Sequence, residues 1–209
     1  RELHDYCAVD VAVTARVLPF LTQGAKNRSQ YRLYPFEEKL QNVCAGMRRM
    51  GIRIDEAARA KHEKAQTETV SKWKSILLKH QPDVHPNSVA QVRDLLFYQW
   101  QLPPHDFTPT GEISVGADTL RALVSSPGIE KEQKEYINAL RFYRRAEKLL
   151  STYLIKLRPD YGLVRDGYVY PNWNSHGTVT GRLSSSEPNF QNIPYAIRDM
   201  CVPPPGSVF

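Results

Sequence analysis

The segment Ile129 to Leu157 reads as one long helix, ended by Pro159. In a protein most of a helix's stability comes from packing an apolar side, and Leu140, Tyr143 and Leu150 can pack here. The chain is therefore expected to be built mainly from packed helices, and other segments agree. "ELHDYCAVDVAVTARVLPFL" reads as a helix dense enough in apolar residues to be buried over much of its surface, with Pro19 ending or kinking it. "TQGAKNRSQ" then reads as a linker. From Pro35 to Met50, the residues Leu40, Val43, Cys44, Met47 and Met50 recur at helical spacing, and Gly51 sits where a C-terminal cap belongs. "IRI" alternates like a brief strand. Asp55 can cap a long polar helix reaching about His80, where Pro82 and Pro86 break it, and Ser88 can cap "VAQVRDLLFYQW". "QLPPHDFTPTGEISVG" reads as an irregular loop and "ADTLRALVSS" as a short helix. From "GLVRDGYVYPNWN" onward the period shifts toward two, so strands are expected only near the C-terminal end.

Composition narrows the classes of function. The 209 residues suffice for one large or two small domains, and 41% hydrophobic residues suffice for a core. A formal charge of +6 suits a polyanionic partner. Cys7, Cys44 and Cys201 lie far apart with no C-x-x-C spacing, which argues against a zinc site or a disulfide framework and for a reducing compartment. No secretory leader is expected, and no apolar run is long enough for a membrane. The start at Arg1 and the stop at "PPPGSVF" read as cut ends.

Three places carry candidate chemistry. Arg141, Arg144, Arg145 and Lys148 fall at i, i+3, i+4 and i+7 and share a helix face. Such a stripe tracks a phosphate backbone, or else forms a solvated face paired with Glu135 and Glu147. Tyr6 and Asp10 stand at i and i+4, where a carboxylate can hold a divalent cation beside a phenol that orients water; the plainer alternative is a surface Tyr–Asp pair. The third place is "TVTGRLSSSEPNFQNIP", Thr178 to Pro194. Gly181 lets the backbone approach a partner closely while the Arg182 guanidinium extends from it. Asn189, Gln191 and Asn192 bring amide donors and acceptors, and Pro188 and Pro194 stiffen the segment. These groups suit the minor groove of a duplex, where every base pair offers acceptors. A hydrogen-bonded loop joining strands would use the same residues.

That last stretch resembles the T-x-T-G-R-L-S-S-x-x-P-N-L-Q-N-I-P signature of family-A DNA polymerases, with Phe190 where the family usually has Leu. "YCAVDVAVT" resembles the family's Y-x-x-x-D exonuclease motif, and "LQNVCAGMRRMGIRID", "NSVAQVRDLLF" and "YRRAEKLLSTYL" resemble its thumb helices in the same order. The resemblance covers essentially the whole chain. It implies a mainly α fold with a few C-terminal strands, a fragment of an α+β right-hand polymerase. It implies the end of a 3′–5′ exonuclease domain over 1–27, the thumb and its base over 28–160, and the start of the palm over 161–209.

The resemblance also implies residue roles. Arg182 reaches the minor groove at the primer terminus, and Asn189, Gln191 and Asn192 contact primer–template nearby, with Thr180 and Ser184 of the same signature. Arg144 and Lys148 touch the DNA backbone. Tyr6 and Asp10 are a remnant of the exonuclease site, where Asp10 would bind metal only with carboxylates from outside the chain. The motifs that hold the two catalytic Mg2+ ions (D-Y-S-Q-I-E and H-D-E) and the helix that grips the dNTP do not occur here, nor does the exonuclease D-x-E motif. The expected partner is primer–template duplex DNA, with dNTP and Mg2+ only in the complete enzyme and no membrane. The competing expectation is a DNA-binding subunit of a split polymerase, completed by a second polypeptide. A cytoplasmic setting follows, in a bacterium or a phage-infected cell, with organelles as the other home of such enzymes.

Overall fold

The computed structural model describes residues 2–207, and two compact units emerge, each assembled from two stretches of chain. One joins Arg1–Gly51 to Tyr170–Gln191, and the other joins Ile52–Val169 to Asn192–Phe209.

In the first unit, α1 (Glu2–Asn27) continues past Pro19 and takes in most of the expected linker. Proline removes one backbone donor from the helix, and the turns on either side keep theirs. The final turn is closed by the Gln23 side chain donating to Asn27 Oδ1 at 2.9 Å. The expected burial of this helix is corrected as well. Leu3, Val9, Val11 and Phe20 are all at least 60% exposed, because no other element of the unit lies along their side of the helix. Helix α2 (Tyr34–Met50) carries Pro35 in its first turn, where no donor is lost. It ends at Gly51, whose φ of 67° is open to glycine and whose amide reaches the Met47 carbonyl at 3.1 Å. Its inward line, Leu40, Cys44 and Met47, faces a small antiparallel hairpin.

The second unit holds the larger core. Asp55 caps α3 (Glu56–His80) by accepting from the Ala57 and Ala58 amides. Ser88 caps α4 (Val89–Arg93), which widens into a π-helical segment over Asp94–Gln99. A loop leads to α5 (Ala117–Ser125) and then α6 (Lys131–Leu149). A capping box of Glu130 and Gln133 opens α6, and a second wide turn, Leu150–Leu154, continues it. Leu77, Val92, Leu95, Leu120, Leu123, Tyr136, Ile137 and Leu140 are essentially fully buried where these helices meet. The strands β1 (Ile52–Ile54), β2 (Val164–Arg165), β3 (Tyr168–Val169) and β6 (Cys201–Val202) form an antiparallel sheet in the order β2-β3-β1-β6. Arg53 lies opposite both Tyr168 and Val202 in that ladder.

Arg59 is 4% exposed on α3. Its guanidinium is satisfied by Glu56, Glu63 and the Leu154 carbonyl, the last at 2.9 Å. Arg158 binds the other side of the same Glu63 carboxylate. The two arginines hold that carboxyl down at about 2, Arg158 contributing most. This network ties α3 to the segment that follows α6.

Candidate nucleic-acid interface

Helix α6 buries Tyr136, Ile137, Leu140, Tyr143 and Ala146, and that fixes which side of it meets water. The basic stripe lies on the outward side, but its members differ. Arg145 and Lys148 are exposed. Arg141 is half-buried and donates to Asn138 Oδ1 at 3.0 Å. Arg144 turns inward: Nε donates to the Pro86 carbonyl and Nη1 to the Val115 carbonyl, each at 2.8 Å. Its Nη2 is buried with no hydrogen-bond partner. Burial disfavours this guanidinium's charge and lowers its pKa from the ordinary arginine value. Among the described residues no ion pair joins the stripe to Glu135 or Glu147; Glu135 instead approaches His80 at 4.0 Å. The self-neutralised face is therefore absent, and Arg145 and Lys148 present open positive charge.

Beside Lys148 runs a groove of about 640 Å3, lined also by Gln66, Trp73, Phe142, Arg145 and Asn192. Lys148, expected on the DNA backbone, and Asn192, expected near the primer end, thus border one hollow. The Asn192 carbonyl accepts from the Tyr153 hydroxyl at 2.8 Å, which holds that backbone against the wide turn after α6.

In the other unit β4 (Asn172–Asn174) leads into a turn where the signature begins, and the signature's own strand β5 (Ser184–Ser186) returns along β4 with Trp173 opposite Ser185. Gly177 lies so close to the returning strand that a Cβ there would sit 2.0 Å from Ser184 Oγ. The turn is tied internally. Thr178 Oγ1 donates to the Arg182 carbonyl at 2.9 Å and lies 3.3 Å from Thr180 Oγ1, and the Gly181 amide donates to the Thr178 carbonyl. Gly181 has φ of 72°, the left-handed conformation this turn requires. With its backbone so held, the Arg182 side chain extends into solvent.

After β5 the chain alternates. Pro188 and Phe190 are buried, while Asn189 and Gln191 are exposed. The buried Ser185 hydroxyl accepts from the Gln191 amide at 3.1 Å and donates to Asn189 Oδ1 at 3.3 Å. The serine run thus serves as a brace: it orders the backbone and leaves the Arg182 and Gln191 side chains facing outward. Ser184 is half-buried in its strand and Thr180 is exposed on the turn.

Tyr6 and Asp10 stand exposed on α1. Among the described residues no group of three or more His, Cys, Asp or Glu side chains comes together. The residues present do not make a magnesium site. Two features lay outside sequence reasoning: the network around Glu63 and the aromatic pair in the groove. Trp73 alone in a polar helix was the available signal for the second.

The sequence model for DNA polymerase family A matches residues 55–209. DNA polymerase I of Bacillus caldotenax is 32% identical over 90% of this chain and 21% of its own length. The DNA polymerase of Escherichia phage T5 is 31% identical over 96% of this chain and 24% of its own length. The fold matches the polymerase domain of Pol1 from M. smegmatis, solved with a DNA primer-template and dNTP, at a TM-score of 0.78 and 26% identity. That match covers 90% of this chain and 33% of the other. The chain thus spans about a quarter or less of these two polymerases' own lengths.

Proposed function

Since this chain belongs to family A of the DNA polymerases, we propose that it is the segment that holds duplex primer–template in an enzyme transferring nucleotides from dNTPs to a primer 3′-OH. In this reading residues 1–27 close an exonuclease domain, 28–160 form the thumb and its base, and 161–209 open the palm. Lys148, with Arg144 anchored behind it, neutralises backbone phosphates and releases their counterions. Arg182, Asn189, Gln191 and Asn192, with Thr180 and Ser184, meet the minor groove at the primer end. Tyr6 and Asp10 belong to an exonuclease site whose other carboxylates come from outside these residues. Magnesium, when bound in the complete enzyme, stabilises charge on the transferring phosphate. Among the described residues no set of ligands for it comes together, and the expected outcome is that the chain by itself neither extends nor degrades a primer.

The observation that carries the reading is the brace behind Arg182. Thr178 fixes the Arg182 carbonyl and Ser185 fixes the Gln191 amide, while the Arg182 and Gln191 side chains are left to solvent. Donors held by rigid neighbours suit a target with constant geometry. Minor-groove acceptors occupy nearly the same places in all correct base pairs, and a mispair displaces them.

A hydrogen bond from a charged donor is worth roughly 1.5–3 kcal/mol, or about ten- to a hundredfold in rate if expressed fully in the transition state. In an enzyme carrying the remaining palm and fingers, Arg182→Ala slows single-turnover extension of a matched primer by about that factor. Extension of a mismatched primer slows much less, because the contact is already lost. Arg182→Lys restores only part, since an ammonium lacks the planar fork. Equal slowing on both primers would remove the minor-groove role.

A further inference from the structure

Phe142 stands on α6 at the flank of the basic stripe, next in sequence to Arg141 and one turn before Arg145, and is 44% exposed. Its ring stacks on Trp73 of α3, centroids 4.9 Å apart and planes 21° from parallel. The groove of about 640 Å3 opens on one side of this ridge, with the aromatic pair in its wall. On the other side lies a second hollow of about 370 Å3, lined by Arg121, Arg141, Arg144, Arg145 and Lys148, with no acidic side chain in its lining. Phe142, Arg145 and Lys148 border both hollows. One wall thus offers an aromatic surface and the other a cluster of cations, with a single ridge between them.

This pairing matches the two halves of one nucleotide. An aromatic ring takes the face of a base, and the cations take its phosphate. A base inside a duplex has both faces covered by its neighbours, so only an unpaired base can reach Phe142. Backbone contact alone would need the cations and no aromatic ring. We infer that the ridge is a binding site for single-stranded DNA, one unpaired nucleotide straddling it with its base in the aromatic groove and its phosphate in the cationic hollow. This rests on the DNA-binding reading above and adds a second substrate class to it: the unpaired strand of a tailed or frayed duplex.

The test uses the whole 209-residue chain, a fluorescein-labelled oligo-dT and a labelled blunt duplex, with affinity read by anisotropy. Phe142→Leu keeps the apolar bulk against Trp73 and removes the stacking face. Oligo-dT binding is expected to weaken about tenfold, within the range that stacking one base supplies. Duplex affinity and the melting temperature stay at wild-type values, and Phe142→Tyr restores oligo-dT binding. Wild-type oligo-dT affinity in Phe142→Leu overturns the site, and so does an equal loss on duplex and oligo-dT. A wild-type chain that binds the duplex but gives either result loses this inference alone. A wild-type chain that binds neither DNA loses the DNA-holding role with it.

Discussion

Arg144 directs two of its donors to the carbonyls of Pro86 and Val115, while Lys148, one turn further along α6, keeps its ammonium in solvent. The two should therefore fail differently. Arg144→Ala leaves two carbonyls without their charged donor and should lower the chain's stability by about 1–3 kcal/mol, read as a shift in the urea midpoint. Lys148→Ala should leave that midpoint alone, weaken duplex binding to a similar degree on any sequence, and reduce the salt slope by about one. An unchanged midpoint in Arg144→Ala would show that the carbonyl anchors contribute nothing. Glu63 supplies a pH test. Its carboxyl, with an ordinary value of 4.5, is held at about 2 by Arg158 and Arg59. A depressed carboxylate stabilises the fold above its unfolded pKa, and that contribution is lost as the proton returns. The loss should run from about pH 4.5 down toward 2. The difference in unfolding free energy between the native chain and Glu63→Gln should be large at pH 7 and shrink at pH 3. A difference that stayed constant with pH would remove the ion-pair account.

Elements with a chemical stop or start were legible in the sequence: Gly51 after α2, Asp55 before α3 and Ser88 before α4 each cap where their side chains, or the lack of one, allow. The wide turns Asp94–Gln99 and Leu150–Leu154 were not, because an added residue in a helical turn leaves the apolar spacing almost unchanged. Helix α1 misled twice. Pro19 was read as an end or a kink, and the helix does not end there; apolar density was read as burial, yet density says only that a surface would be buried if something met it. Of the site, the signature and the stripe were visible as residue types. The inward turn of Arg144 was not, since it depends on carbonyls 58 and 29 residues away in sequence. At Pro19 the helix lacks the bond that would reach the Ala15 carbonyl. Pro19→Ala should restore it and slow amide exchange around residues 19–22. The melting temperature of the Ile52–Val169 core should not move, because α1 has no part in that core. A higher melting temperature would mean that α1 and the core unfold together.

At the scale of the molecule, each unit is built from two stretches of chain, so covalent continuity and folded continuity part company. The loop between the π-helical segment and α5 gives a test. Its tip is the exposed turn Thr108–Gly111, where the Gly111 amide reaches the Thr108 carbonyl at 2.8 Å, while Leu102 and Val115 on either side are buried in the core. Cleavage at that tip should leave the two fragments associated through gel filtration, with the core intact. Separation of the fragments would show that the connection, and not the core, holds the halves. The sheet carries a consequence for biosynthesis. Its inner strand β1 leaves the ribosome well before both of its neighbours, since Arg53 pairs with Tyr168 on one side and Val202 on the other. Until those residues are made, β1 has two open edges and nothing to close them, while α3 to α6 can already pack from local contacts. The nascent chain therefore completes its helical core first and its sheet last. An arrest of translation after α6 is complete but before Tyr168 strands a folded bundle with an unpaired strand at its root, an open edge that invites pairing with another chain.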